Sequence, residues 1–171
     1  MEPKQIKILA IDDNRDNLIS IKALISEMFP QSVVFLEESG QRGIDSARHN
    51  DPDVILLDIV MPEMDGYEVC KIFKADKQLS DTPVIFLTAL KGNRQSHILA
   101  LEAGGDAFLA KPVDNSELKA QINAMLKIKE AVRFKRNERI RLEELVQQRT
   151  IELKNSNIAA LNLLEDLNAE N

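Results

Sequence analysis

The stretch IKILAIDD, residues 6–13, is an apolar run that ends in two carboxylates. Such a continuous run is typical of a strand buried on both faces of a parallel sheet. The pattern recurs in VILLD (residues 54–58), VIFLT (84–88) and AFLAK (107–111), each of which ends in one polar side chain. Because parallel strands present their carboxyl ends at one edge of a sheet, these polar residues should meet there. The pattern therefore predicts a polar site at that edge.

Amphipathic segments separate these runs and a fifth one, VVFL (residues 33–36). Leu18, Ile21 and Ile25, for example, recur at the spacing of one helix face. Five strands that alternate with helices predict an α/β fold, an open parallel sheet with right-handed crossovers. The pattern alone leaves the order of the strands open.

Length, charge and composition limit the classes of protein to which the chain can belong. With 171 residues and 44% apolar content, the chain suits one packed domain with an appendage. The net charge of −6 argues against nucleic acid as the main partner. Cys70 is the only cysteine, which fits a buried thiol in a reducing compartment. No stretch approaches the roughly 20 apolar residues of a membrane span, and the amino terminus carries no signal-peptide pattern. We therefore expect a cytoplasmic protein.

The chain changes character after Pro112, because neither Pro nor Gly occurs beyond it. Asp114 and Glu117 have the spacing of a capping box, which predicts a helix of about 55 residues. Alternate steps of three and four residues from Met125 define a predicted coiled-coil seam. Its apolar positions are Met125, Ile128, Val132, Leu142, Val146, Leu153, Ala160, Leu163 and Leu167, and Lys135, Arg139, Arg149 and Ser156 also fall on it. We expect residues 1–126 to form the domain and residues 127–171 to pair as a parallel dimeric coiled coil. A lone solvated helix is the alternative, and the basic stretch 127–154 is interpreted as solvated surface rather than a nucleic-acid or lipid contact.

The predicted edge combines three kinds of chemistry. Asp12, Asp13 and Asp58 would repel one another unless a hard cation such as Mg²⁺ relieved the repulsion. Asp58 could act as a nucleophile toward phosphorus and form an acyl phosphate. Lys111 could neutralise phosphoryl charge, and the Thr88 hydroxyl could donate a hydrogen bond to a phosphoryl oxygen.

Each of these residues has an ordinary explanation when taken alone. An Asp after a strand is usually a turn or cap residue, and Asp13 or Asn14 could cap the first helix. Thr88 could be a plain strand-end hydroxyl and Lys111 a surface lysine. Their joint occurrence at four strand ends favours a functional site.

These residues stand in motifs that resemble the response-regulator receiver domain of two-component signalling. The matching stretches are ILAIDDN (residues 8–14), DIVMPEMDG (58–66), FLTA (86–89) and KP (111–112). The resemblance covers residues 5–126. It implies a flavodoxin-like sheet of order 2-1-3-4-5 and a signalling module rather than an enzyme with a separate substrate.

The resemblance also implies roles for individual residues. Asp58 would take a phosphoryl group from a histidine kinase or a histidine phosphotransfer protein. Asp12, Asp13, Asp58 and the backbone carbonyl of Val60 would hold Mg²⁺. Thr88 and Phe108 would form the family's switch pair, and the Lys111–Pro112 bond would be cis. We hypothesise that apolar Val60 and Leu90 slow the loss of the phosphoryl group.

The helical segment more weakly resembles linkers that join receivers to kinase, sensor or output modules. This resemblance is carried by residues 142–153, and it predicts a further module beyond Asn171.

Other functions fit the sequence less well. A phosphatase of the haloacid-dehalogenase type needs a DxD motif after the first strand, which DDNRD (residues 12–16) does not provide. A scaffold that is never phosphorylated would not need Asp58, Thr88 and Lys111. His49 and His97 have no kinase-like setting and are expected at the surface. The sequence also has no Gly-rich ATP loop.

Overall fold

Five strands alternate with five helices in residues 5–89 and 94–169, which the computed structural model describes. The strands are β1 (Lys7–Ile11), β2 (Val33–Glu37), β3 (Val54–Asp58), β4 (Val84–Thr88) and β5 (Ala107–Ala110). The helices are α1 (Arg15–Met28), α2 (Gly40–Asn50), α3 (Gly66–Ala75), α4 (Arg94–Glu102) and α5 (Asn115–Ala169). All strand pairs are parallel and their order is β2-β1-β3-β4-β5. The predicted fold and the strand order implied by the resemblance are confirmed.

The sheet is buried on both faces because successive side chains of a strand point to opposite sides. Leu9 and Ile11 of β1 pack with residues of α2, α3 and α4, whereas Ile8 and Ala10 pack with α1 and the first part of α5. All four side chains are fully buried. Burial on both faces explains why the inner positions of β1, β3 and β4 are apolar and why polar residues lie at the strand ends.

The strand register brings distant polar residues to one edge. Ile11 pairs with Leu57, so Asp12 and Asp58 follow at the same level of neighbouring strands. Asp58 pairs with Leu87, and Thr88 pairs with Ala110, the residue before Lys111. Strand order reverses between β1 and β3, the position at which open α/β sheets bind their ligands.

The turn after β3 depends on a close backbone approach. A Cβ atom on Gly66 would lie 2.2 Å from the carbonyl oxygen of Asp58, so this position admits only glycine. The Gly66 amide donates to the Ile59 carbonyl at 2.9 Å. Asp65 and Glu68 form a capping box on α3. The loop that leaves Asp58 is thereby tied back to the end of its own strand.

Cys70 lies in the core on α3 and is fully buried. Burial raises the pKa of its thiol to about 11. The thiolate is the reactive form, so an inert buried thiol, as the sequence predicted, is the consequence.

The chain divides into two compact units, Met1–Glu130 and Ala131–Asn171, and α5 contributes to both. In the first unit, the Glu117 amide donates to Asp114 Oδ1 at 2.9 Å, which makes Asp114 the cap of the helix. Leu118, Ile122 and Met125 are buried against the sheet. In the described part of the second unit the large apolar side chains are exposed.

Lys129 departs from the solvated surface that the sequence predicted for residues 127–154. Its side chain is 8% exposed, and its ammonium donates to the Pro52 carbonyl and, at 3.3 Å, to Thr82 Oγ1. The carboxylates of Asp51 and Asp53 lie 3.9 and 4.0 Å from it. The prediction was wrong for this residue because the loops before β3 and β4 offer it acceptors. Packing of α5 in the first unit thus continues past residue 126.

No helix among residues 5–89 and 94–169 has the length and apolar character that crossing a membrane requires.

Candidate functional site

A lysine from the end of β5 joins two carboxylates from the ends of β1 and β3. Lys111 Nζ lies 2.7 Å from Asp12 Oδ2 and 2.7 Å from Asp58 Oδ1. The Asp12 and Asp58 carboxylates are almost completely buried, whereas the lysine side chain is 19% exposed. Residues 12, 58 and 111 are far apart in sequence, and the parallel register brings them together.

Asp13 completes an acidic cluster at the same edge. One carboxylate oxygen from each of Asp12, Asp13 and Asp58 lies within 4.8 Å of the others. Asp12 and Asp58 are buried and Asp13 is exposed. Three carboxylates facing one point are the oxygen ligands that hard divalent cations such as Mg²⁺ prefer, so the donor set fits this ion.

Asp12 is held from two directions. The Asn14 amide donates to Oδ1 at 2.9 Å, and Asn17 Nδ2 lies 3.1 Å from both oxygens. Lys111 Nζ also donates to Oδ2 at 2.7 Å. The sequence predicted Asn14 only as a possible helix cap, a role that it also has, and gave no prediction for Asn17. The sequence feature that could have indicated Asn17 is its position as a polar residue beside the apolar face of α1, about one helical turn after the end of β1.

The electrostatics favour a charged lysine. Burial alone would lower the pKa of Lys111, but hydrogen bonds from its ammonium to Asp12 and Asp58, together with their charges, outweigh burial and raise the pKa. Burial raises the pKa of Asp58, and the charges of Asp12 and Asp13 add to this in opposition to Lys111. The ionised form of Asp58 is therefore disfavoured relative to a free aspartate, and a bound cation would restore it.

Thr88 and Phe108 lie on neighbouring strands. Thr88 is the buried last residue of β4, and its carbonyl accepts a hydrogen bond from the Lys111 amide at 2.8 Å. Phe108 is half-buried and stacks on Phe86 of β4 with ring centroids 5.6 Å apart. The Tyr67 ring also lies 5.6 Å from the Phe86 ring and is tilted by 57° relative to it. The aromatic residue implied by the resemblance thus belongs to a cluster of three aromatic rings centred on Phe86.

The remaining predicted residues have the following positions. Val60 is 65% exposed, two residues after Asp58. The Lys111–Pro112 peptide is cis, as the resemblance implied. His49 is exposed at the end of α2, which confirms a surface position. Leu90 and the side chain of His97 lie outside the described residues.

A shallow groove of about 260 Å³ opens beside the lysine. It is lined by Asn17, Ser20, Ile21, Leu24, Lys111, Pro112 and Val113. The Ser20 hydroxyl donates back to the Asp16 carbonyl at 2.9 Å. Asn17 therefore differs from Ser20 in the groove, because its amide donates to the Asp12 carboxylate.

Comparisons with family models, protein sequences and solved structures all point to the same protein family. A family model described as the response regulator receiver domain matches residues 8–123. The response regulator PleD of Caulobacter vibrioides is 36% identical over 124 residues, which are 72% of this chain and 26% of PleD. The DNA-binding dual master transcriptional regulator RpaA of Synechocystis is 36% identical over 123 residues, 71% of this chain and 49% of that protein. The chain thus spans at most about half the length of these two relatives.

A solved structure of similar fold comes from Pseudomonas aeruginosa PAO1. It is the receiver domain of the sensor histidine kinase PA1611, with magnesium ion coordinated in its active site cleft. It is 30% identical, superposes with a TM-score of 0.64, and the match covers 72% of this chain and 98% of that domain.

Proposed function

The chain belongs to the response regulator receiver family, and from this membership we propose that Asp58 accepts a phosphoryl group from a phosphohistidine. Receiver domains are signalling modules that take phosphoryl groups from histidine kinases. The donor for this chain is a histidine kinase or a histidine phosphotransfer protein. The observation that carries the proposal is the Lys111 ammonium placed 2.7 Å from both Asp12 and Asp58.

The transfer uses Asp58 as the nucleophile. One of its carboxylate oxygens forms a bond to phosphorus while the phosphorus–nitrogen bond to the donor histidine breaks, and the bonding electrons leave with the imidazole. Lys111 stays protonated, because its carboxylate contacts favour the ammonium, and it pairs with a phosphoryl oxygen. The Thr88 hydroxyl donates a hydrogen bond to another phosphoryl oxygen. The same site slowly releases the phosphoryl group to water.

A divalent cation belongs to this proposal. Asp12, Asp13 and Asp58, with the backbone carbonyl of Val60, would hold Mg²⁺, and the three-carboxylate cluster supports this assignment. When bound, Mg²⁺ supplies positive charge that offsets the carboxylates and the phosphoryl oxygens. Without a cation, Lys111 is the positive group that this chain places among the carboxylates of residues 12 and 58.

Thr88 and Phe108 are proposed to report the phosphorylated state. Movement of the Thr88 hydroxyl toward the phosphoryl group would change the space available to the neighbouring ring. Phe108 packs against Phe86, and Phe86 in turn contacts Tyr67. A shift of the Phe108 ring would therefore disturb the packing on the sheet face covered by α3 and α4. Switches driven by phosphorylation generally act through such a local change of charge and packing.

The signal is proposed to pass through residues 127–171, with residues 1–126 as the receiver. Leu142, Val146 and Leu153 lie on the predicted seam and are at least half exposed, which supports pairing with a second copy of the chain. Phosphorylation would then shift the paired helices and act on a kinase or output module. Nucleic acid and membrane are not expected as partners, and the single buried thiol supports a cytoplasmic setting.

The decisive experiment is phosphorylation by a small-molecule phosphodonor with Mg²⁺, followed by intact mass and sizing. We expect wild type to gain one phosphoryl group and Asp58→Ala to gain none. Asp45→Ala, which removes an exposed aspartate on α2, should behave as wild type. A wild type that stays unmodified, or an Asp58→Ala variant that is modified equally, would contradict the proposal.

A further inference from the structure

We propose that Asn17 is a positioning residue of the cation site, and that its amide fixes the Asp12 carboxylate in the orientation that binding requires. The inference rests on the proposed function, because it concerns the same carboxylates. It adds a residue of α1 that lies outside the acidic motif itself.

The geometry singles out this side chain. Asn17 Nδ2 lies 3.1 Å from Oδ1 and 3.1 Å from Oδ2 of Asp12, a carboxylate that is 1% exposed. The backbone amide of Asn14 adds a third contact at 2.9 Å. A buried carboxylate held through both oxygens has little freedom to rotate, so its orientation is set before a cation arrives.

Local structure explains why Asn17 reaches this point. Asn14 caps α1, so Asn17 lies in the first turn of the helix that follows β1. Side chains of a helix tilt toward its amino terminus, which directs Asn17 back to the strand end. Leu18 and Ile21, on the same helix, are buried against the sheet and fix its position. The amide is therefore mounted on a rigid element.

A neutral donor suits this task better than a second cation. Lys111 also contacts Asp12, but its ammonium is shared with Asp58 and is the group that would move to a phosphoryl oxygen. Asn17 can hold Asp12 throughout without cancelling its negative charge. Partners that orient metal ligands in this way commonly contribute about 10-fold or more to metal affinity.

The test is Mg²⁺ binding by titration calorimetry, with wild type, Asn17→Leu and Ser20→Ala. Leucine keeps the approximate size of asparagine and removes the donor. We expect Asn17→Leu to bind Mg²⁺ about 10-fold more weakly. Ser20→Ala, which alters the same groove without touching Asp12, should bind within about twofold of wild type. Circular dichroism at the assay temperature establishes that each variant is folded.

A second readout separates positioning from general damage to the site. In phosphorylation by a small phosphodonor, the Mg²⁺ concentration that gives half-maximal rate should rise about 10-fold in Asn17→Leu. The rate at saturating Mg²⁺ should stay within about threefold of wild type. A merely structural defect would lower the saturated rate without shifting the Mg²⁺ dependence, and that result would overturn the inference.

Asn17→Ser provides the test if the leucine variant does not fold. Its hydroxyl is shorter than the amide and cannot reach both oxygens, so we expect weakened Mg²⁺ binding here too. Affinity within twofold of wild type in a folded Asn17 variant would overturn this inference alone. A wild type that binds no Mg²⁺ would overturn the cation assignment of the proposed function as well.

Discussion

At the residue scale, Lys111 has two opposing effects on the site. Its ammonium lies 2.7 Å from Asp12 and from Asp58, so it neutralises part of the charge that would attract a cation. The same ammonium is the proposed partner of a phosphoryl oxygen. Removing Lys111 should therefore strengthen Mg²⁺ binding and slow phosphoryl transfer.

We predict that Lys111→Met binds Mg²⁺ more tightly than wild type but is phosphorylated at least 10-fold more slowly at saturating Mg²⁺. Calorimetry measures the first change and intact mass over time the second. Lys127→Met, which removes an exposed lysine of α5, is the control and should leave both unchanged. Weaker Mg²⁺ binding in Lys111→Met would show that the lysine supports cation binding instead of competing with it.

Val60 offers a prediction about the lifetime of the phosphorylated form. This valine is 65% exposed two residues after the acceptor, and its apolar side chain cannot orient an attacking water. The double change Val60→Asn with Leu90→Glu should speed the loss of the phosphoryl group severalfold, measured by intact mass after the donor is removed. Ile140→Asn, in the second unit, is the control. A rate equal to or below that of wild type would contradict the hypothesis.

At the element scale, Lys129 anchors α5 to the edge of the sheet opposite the carboxylates. Its ammonium bonds to the Pro52 carbonyl and Thr82 Oγ1 near the carboxylates of Asp51 and Asp53. Asp53 also accepts a hydrogen bond from the Lys7 amide at 3.0 Å. One buried cation thus connects α5 with the loops that begin β3 and β4.

Lys129→Met should lower the free energy of unfolding by about 2 kcal/mol at pH 7, because it removes the ammonium that donates to the buried Pro52 carbonyl and a positive charge 4.0 Å from Asp53. Urea denaturation measures the change. Lys127→Met, an exposed lysine on the same helix, should alter stability by less than about 0.5 kcal/mol. Equal stability of the two variants would mean that burial of Lys129 contributes nothing net.

Some residues of the site and the fold could be predicted from the sequence and others could not, and their positions in the fold explain the difference. A core on both faces of the sheet requires apolar runs in the strands, so the sequence shows where the strands end and predicts Asp12, Asp58 and Lys111 as site residues. The strand order followed only from the resemblance, since periodicity carries no pairing information. Asn17 and Lys129 were missed because their roles depend on where a helix side chain meets a loop or strand of distant sequence. No local pattern records such a contact.

At the scale of the whole molecule, the feature to explain is the second unit, residues 131–171, through which the signal is proposed to pass. The second unit is helical to Ala169, and the large apolar side chains that the structure describes there are exposed. Hydrophobic surface of this kind on a long helix is unfavourable in water unless a partner covers it. Some of these side chains lie on the predicted seam and others lie off it. The effects of substitutions in the two sets can therefore be compared.

We predict that the 171-residue chain is a dimer that Leu142→Lys with Leu153→Lys converts to a monomer, because both residues lie on the seam and a coiled coil buries such positions. Ile140→Lys with Ile151→Lys is the matched control. These isoleucines are also exposed and equally spaced, but they lie off the seam, so this variant should remain dimeric. Sedimentation equilibrium gives the mass of each. Phosphorylation of Asp58 by a small donor should proceed in all three proteins, because the acceptor site is complete within the first unit. A monomeric wild type, or loss of the dimer in both variants, would instead favour a solvated helix or a different interface.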